Sequence, residues 1–279
     1  MITKSLIFQP QNNSTIQQFN NSTIQQFNNS TIQQFNMTTL CFDFGNTRLK
    51  AAIFKAAVFS EEFYLPDDKT ATVAALLEKY QPQKTILSSV INHNEAIENL
   101  LAQKSIFHKL SASTKINFTT PVGKPETIGA DRLALIAAAV HFYPKKNNLV
   151  IGLGSCITYN FVNQYHQFLG GSISPGMDMR FKSMHDYTAK LPLVQADWNF
   201  PLVGYDTKTN LQSGVINGMA SEIDGFIEKY SNKYGNFNVL LTGGNSGYFA
   251  SQLKNKIFAD YNFLFKGLYA LSELNNCPA

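Results

Sequence analysis

Cysteine is scarce: the 279 residues carry three, Cys41, Cys156 and Cys277, far apart in the chain. That spacing fits neither a zinc site nor a disulfide framework. It points to a reducing compartment, the cytoplasm. Long apolar runs are missing too. The longest, Leu133 to Val140, is too short to cross a bilayer, so no membrane association is expected. Charged residues make up only 15%, the net charge is +4, and no run of five like charges occurs. So mild a balance gives no footing for nucleic acid.

What the chain does have, at its start, is repetition. The octamer "NSTIQQFN" occurs three times between Asn13 and Asn36, and asparagine and glutamine supply 15 of the first 36 residues. Eight residues with one Ile and one Phe are too few to bury a face, whereas solenoid units run to roughly 20 residues or more. Segment 1–36 is therefore expected to be disordered and without function, with cross-β self-association as a lesser alternative. With a single lysine (Lys4) and no continuous apolar core, it does not read as a signal peptide. The functional chain is expected to begin at Met37.

From there the patterning alternates between strands and helices. "TLCFDFG" reads as a strand, and "LKAAIFKAAVF" as one or two returning strands. "TATVAALLEKY" has helical spacing, "KTILSSVI" is a buried strand, and "NEAIENLLAQ" is a helix with Asn94 as its expected N-cap. "SIFHKL" is a strand, and "ADRLALIAAAVHFY" is a strongly apolar helix that stops before Pro144. A similar plan then repeats. "NLVIGLGSCITYNFV" is a hairpin, "QFLGGSISPGMDMRF" a strand end, turn and helix start, and "TNLQSGVINGMASEIDGFIEKY" a long amphipathic helix. "NVLLTGGNSGYFASQL" is strand, Gly turn, helix. The order implies an α/β protein of two related domains with mixed sheets, residues 37–147 and 148–279.

Four motifs could carry chemistry. In "DFGNTRLK", Gly45 allows a sharp turn and Asn46 and Thr47 offer donors for phosphate oxygens. Asp43 could hold a metal through water, and Arg48 or Lys50 could neutralise phosphate charge. The matching turn of the second half, "GSC", offers Gly154 and Ser155 for the same task. Either could equally be a plain hairpin turn. "GADR", Gly129 to Arg132, heads the apolar helix. Asp131 there could accept a proton from a substrate hydroxyl, and Arg132 offers a planar fork for carboxylate or phosphate. Taken alone these two could also be an acidic first turn beside a solvated arginine. "GGSISPG", "GYDTKTNLQSG" and "LTGGN" are glycine-rich strand-to-helix loops.

Their combination and order are more specific than any one of them. The chain resembles a type III pantothenate kinase, of the actin-like superfamily that includes acetate and sugar kinases. The resemblance runs from Met37 to about Leu271. It implies two RNase H-like (actin-like ATPase) domains with mixed sheets flanked by helices. It implies ATP and Mg²⁺ as cofactors, with pantothenate as the substrate that takes the γ-phosphoryl group. By resemblance, Asp43, Gly45, Asn46, Thr47, Arg48, Lys50 and Ser155 contact ATP. Gly129, Ala130, Asp131 and Arg132 line pantothenate, Asp131 is the general base, and Thr207, seven residues before Gly214, touches substrate. A homodimer is implied in the same way.

Two positions depart from the family's pattern. The second phosphate loop usually reads Asp-x-Gly-Thr, its Asp serving a monovalent cation, K⁺ or NH₄⁺. Here it reads "GLGS": Gly152 stands in place of the Asp, and Ser155 in place of the Thr. Val122 stands where the family tends to have a Tyr against the substrate. Two rival expectations are a non-catalytic regulator on the same scaffold, favoured by Gly152, and an actin-like ATPase that turns over ATP without pantothenate.

Overall fold

The computed structural model describes residues 37–120 and 127–276; the repeat, Val122 and Cys277 lie outside the described residues. The first sheet contains β1 (Thr38–Phe44), β2 (Leu49–Lys55), β3 (Val58–Leu65), β4 (Lys84–Ser89) and β5 (Ile106–Lys109), in the order β3-β2-β1-β4-β5. The second contains β6 (Asn148–Leu153), β7 (Cys156–Val162), β8 (Phe168–Pro175), β9 (Asn238–Gly243) and β10 (Phe258–Ala259), in the order β8-β7-β6-β9-β10. The two orders match strand for strand. In each, three strands run as an antiparallel meander and two more join parallel to the first. This is the duplicated RNase H-like plan with mixed sheets.

Alternation along the strands sets the layers. Leu40, Phe42 and Phe44 of β1 pack with α1 (Thr70–Tyr80) and α2 (Ala96–Lys104) on the outer face of the first sheet. Leu149, Ile151 and Leu153 of β6 likewise pack with α4 (Met177–Asp186) and α5 (Thr207–Tyr234) outside the second. The inner faces share one cluster: Cys41, Ala52 and Ile86 from the first sheet, Val150, Val162 and Leu240 from the second. Between them run α3 (Ala130–Phe142) and α7 (Phe263–Asn275); α6 (Ser246–Gln252) follows β9. Layering explains why α3 has no polar stripe: residues Ala134 to Val140 are buried all round because sheets lie on both sides.

Two differences from the sequence reading stand out. No element is read there beyond Leu253, yet α7 fills a central layer. The helix α2 begins after Glu95 rather than Asn94, whose Oδ1 accepts from the Ala96 N–H at 3.0 Å, an Asx turn just ahead of the helix.

The first sheet starts one residue after Met37. β1 begins at Thr38, and the Met37 carbonyl accepts from the Ala56 N–H at 3.0 Å, closing that edge. A chain starting at Met37 is expected to melt within about 2 °C of the full chain and to keep its activity. Calorimetry of the two chains side by side checks this; a large drop would make the repeat part of the machine.

Candidate active site

Asp43 lies near the end of β1 on the inner face, where the strand enters the turn of "DFGNTRLK". Gly45 N–H bonds the Arg48 carbonyl at 3.1 Å, and a Cβ on Gly45 would sit 3.3 Å from that oxygen, so the turn is tight. Asn46, Thr47 and Arg48 are exposed at its tip. Lys50 returns along β2, paired with Glu62 at 2.7 Å and lying over the Tyr64 ring. Arg48 lies over the same ring and donates to Tyr64 Oη at 3.3 Å. Beside them opens a pocket of about 510 Å³ lined by Thr47, Arg48, Leu49, Tyr64, Leu65 and Pro66.

The second sheet presents its equivalent turn opposite. Thr47 Oγ1 and Ser155 Oγ are 2.8 Å apart and hydrogen-bonded, although 108 residues separate them in sequence. The two loops that sequence alone suggests for phosphates therefore meet across the cleft. Gly176 supports the second loop: a Cβ there would come within 2.3 Å of the Gly154 carbonyl oxygen. Gly243 of "LTGGN" has φ of 104° and lies against Leu153, where a Cβ would meet its carbonyl oxygen at 2.2 Å. Both glycines let backbone pack on the loop's own backbone.

Asp131 stands in the first turn of α3. Gly129 makes room for it, since a Cβ there would come 2.7 Å from Asp131 Oδ1. Ala130 packs on the central core. Asp43 senses the charge of Asp131. Burial pushes the Asp43 carboxyl up to about 7, the negative field of Asp131 adds to the rise, and Lys50 partly opposes it. Such a pair fits a site that receives a cation. On the same floor, across the β1–β4 ladder from Asp43, Ser88 is buried and its hydroxyl has no partner among the described residues.

Arg132 leaves the same turn toward the second sheet and donates from Nε to Asn160 Oδ1 at 2.7 Å. The sequence reading misses Asn160; its one signal is an amide side chain inside the largely apolar strand "CITYNFV". Thr207 stands apart. It is the exposed first residue of α5, and no hydrogen bond joins it to these groups.

Gly152 occupies in β6 the place Asp43 occupies in β1. It pairs with Thr158 on β7 and Thr242 on β9. A Cβ on it would meet Thr158 Oγ1 at 2.9 Å and Leu135 Cδ1 of α3 at 3.2 Å. The space is taken by a hydroxyl and an aliphatic carbon. Among the described residues no group of three or more His, Cys, Asp or Glu converges to form a metal cage, and no helix is long and apolar enough to cross a membrane.

A model of the type III pantothenate kinase family matches residues 39–229. A type III pantothenate kinase of Christiangramia forsetii is 40% identical over 238 residues, covering 85% of this chain and 98% of that protein. One from Flavobacterium johnsoniae is 38% identical over 231 residues, covering 82% and 95%. Among solved structures, a protein described as a Baf family transcriptional activator from Campylobacter jejuni has a TM-score of 0.53 at 24% identity, covering 85% of this chain and 98% of that one. At that identity the likeness bears on the fold alone.

Proposed function

The chain belongs to the type III pantothenate kinase family, and on that premise we propose that it transfers the γ-phosphoryl group of ATP to the primary hydroxyl of pantothenate. The product is 4′-phosphopantothenate, the entry step to coenzyme A. The observation that carries this reading is Asp131 at the head of α3, close enough to raise Asp43 beneath two facing hydroxyl-bearing loops.

The substrate hydroxyl oxygen forms a bond to the γ-phosphorus as the bond to the β,γ-bridging oxygen breaks, and ADP leaves. Asp131 orients that hydroxyl and takes its proton. Thr47 and Ser155 release each other and bond phosphate oxygens instead, with Asn46 and the Gly45 turn alongside. A neutral hydroxyl pair is worth about 1 kcal/mol net, so ATP displaces it readily. Arg48 lies beside the nucleotide. Lys50, held by Glu62, contributes positive field from the sheet. Gly129, Ala130 and Arg132 line pantothenate.

Asp43 fits Mg²⁺ carried in on the phosphates, because magnesium takes one or two carboxylates and keeps water and phosphate for the rest. When bound, the ion neutralises phosphate charge. The residues present do not fit a monovalent cation at Gly152, which supplies no carboxylate and faces Leu135. The enzyme is therefore expected to depend little on potassium or ammonium. Exchanging sodium for potassium at constant ionic strength should change turnover less than about twofold, screening being held fixed. Saturable activation at low millimolar potassium would overturn this.

Two lobes, 37–147 and 148–279, close on the nucleotide, with α7 reaching back to the first. A cytoplasmic homodimer completes the reading. Its support is the apolar surface just ahead of α5, where Leu202, Val203 and Tyr205 are 78%, 82% and 81% exposed. This surface adjoins Thr207, which a second copy would cover and bring to the substrate.

A coupled ADP-release assay tests the function. ADP release that requires pantothenate is expected. Equal release without it would make the protein an ATPase, and none at all would favour a regulator.

A further inference from the structure

Asp131 and Arg132 are adjacent in sequence but work on different sheets. Asp131 is felt by Asp43 on the first. Arg132 is held on the inner face of the second by Asn160, which has no exposed surface. Asn160 in turn donates from Nδ2 to the Val150 carbonyl at 3.2 Å and to Thr158 Oγ1 at 3.2 Å. Its amide cannot turn over without losing the bonds to Arg132 and to the Val150 carbonyl. The guanidinium lies over the Phe168 ring, Cζ 5.6 Å from the centroid. Gly171 packs on the Tyr159 carbonyl, which a Cβ would meet at 1.7 Å, and the same Cβ would come within 3.3 Å of Nη2. So the fork is fixed at Nε and along its face, while Nη1 and Nη2 have no hydrogen-bond partner among the described residues. Burial lowers the Arg132 pKa, the mark of a cation short of water.

Two features of this clamp decide what it is for. Asn160 lies five residues along β7 from Ser155, about 16 Å at 3.3 Å per residue, so the guanidinium is anchored far from the phosphate loops. Asn160 is also neutral. It directs the arginine without cancelling its charge, which an aspartate at the same place would do.

The geometry points to Asn160 as a positioning residue that aims Arg132 at the carboxylate of the acceptor, and so sets the preference for an acidic acceptor over a neutral one. The inference rests on the pantothenate kinase reading. A planar fork recognises a carboxylate through two parallel N–H donors, and its orientation must be fixed for both to engage.

The test compares pantothenate with pantothenyl alcohol, the same molecule with its carboxylate reduced to a hydroxymethyl group. The readout is the ratio of their kcat/KM values in wild type, Asn160→Leu and Asn160→Asp, each checked for folding by its melting curve. Both variants should lower the ratio about tenfold, through a raised KM for pantothenate rather than through kcat. In an Arg132→Met background Asn160→Leu should lower it no further, because Asn160 acts only through Arg132. Asn160→Asp keeps the acceptor oxygen and a similar volume, so it carries the test if the leucine variant does not fold. A folded Asn160→Asp with the wild-type ratio overturns the inference, as does an equal fall in the Arg132→Met background. Wild-type protein that releases no ADP with pantothenate refutes the kinase reading itself, which is a different failure.

Discussion

Asp131→Asn is expected to slow phosphoryl transfer by roughly 10²- to 10⁴-fold, the usual worth of a positioned general base. Asparagine has the same shape and sits in the same space above Gly129, where Asp131 Oδ1 would be 2.7 Å from any Cβ. It cannot take a proton. Steady-state turnover measures the loss, and ATP affinity from a fluorescent nucleotide should change little, because the phosphate loops are untouched. The variant also has a second readout. Asp43 owes part of its rise to about 7 to the negative field of Asp131. Removing that charge should bring the Asp43 carboxyl down toward the ordinary carboxylate range, although burial, the larger cause, remains. Near-normal turnover would place the base elsewhere, and an unmoved Asp43 would separate the two carboxylates.

Gly267→Ala should produce a large loss of stability from a single methyl group. Gly267 is where α7 touches α3 backbone to backbone: a Cβ there would stand 1.9 Å from the Ala134 carbonyl oxygen and 2.5 Å from its carbon. No flexible side chain is available to give way, so one helix must move. Overpacking of this kind costs about 3 kcal/mol, which for a chain of this size lowers Tm by about 6–10 °C. Gly218, in α5, is the internal control, since nothing lies within 4 Å of its Cβ position. Gly218→Ala should be neutral or raise stability by about 0.5–1 kcal/mol, the helix gain of alanine over glycine. Equal melting curves for the two variants would remove the close contact from the account. Because α3 carries Asp131 and Arg132 at its head, the folded fraction of Gly267→Ala should also turn over more slowly.

Much of the architecture was legible because local signals agreed with the global plan. The hairpins of "DFGNTRLK" and "GLGSCITYNF" show strand alternation broken by Gly and small hydroxyl residues, and both meanders follow from them. α7 was not legible. "FLFKGLYALSELN" places Phe263, Phe265 and Leu268 around much of the helix with Gly267 in its first half. It packs on α3 and on β1 and β4 of the first sheet, partners that lie far away in sequence and leave no local mark on it. The site divides in the same way. Asp43, Asp131 and Arg132 announce themselves as charges in apolar surroundings. The Thr47–Ser155 contact joins residues 108 apart, and nothing local in either loop records it. Leu135 against Gly152 is similar: a leucine in an apolar helix carries no sign of which strand position it fills.

The path of α7 has a consequence for synthesis. This last helix covers the inner face of the sheet made first. Glu273 reaches Lys84 at 3.0 Å, and Asn276 Nδ2 donates to the Thr85 carbonyl at 2.9 Å. On the ribosome, β1 to β5 emerge long before the residues that shield them. Their apolar inner face, with Cys41, Ala52 and Ile86 on it, must wait until α7 has been made. Nascent chains of this protein therefore pass through a long interval with part of the first sheet uncovered, when chaperone capture and aggregation compete with completion.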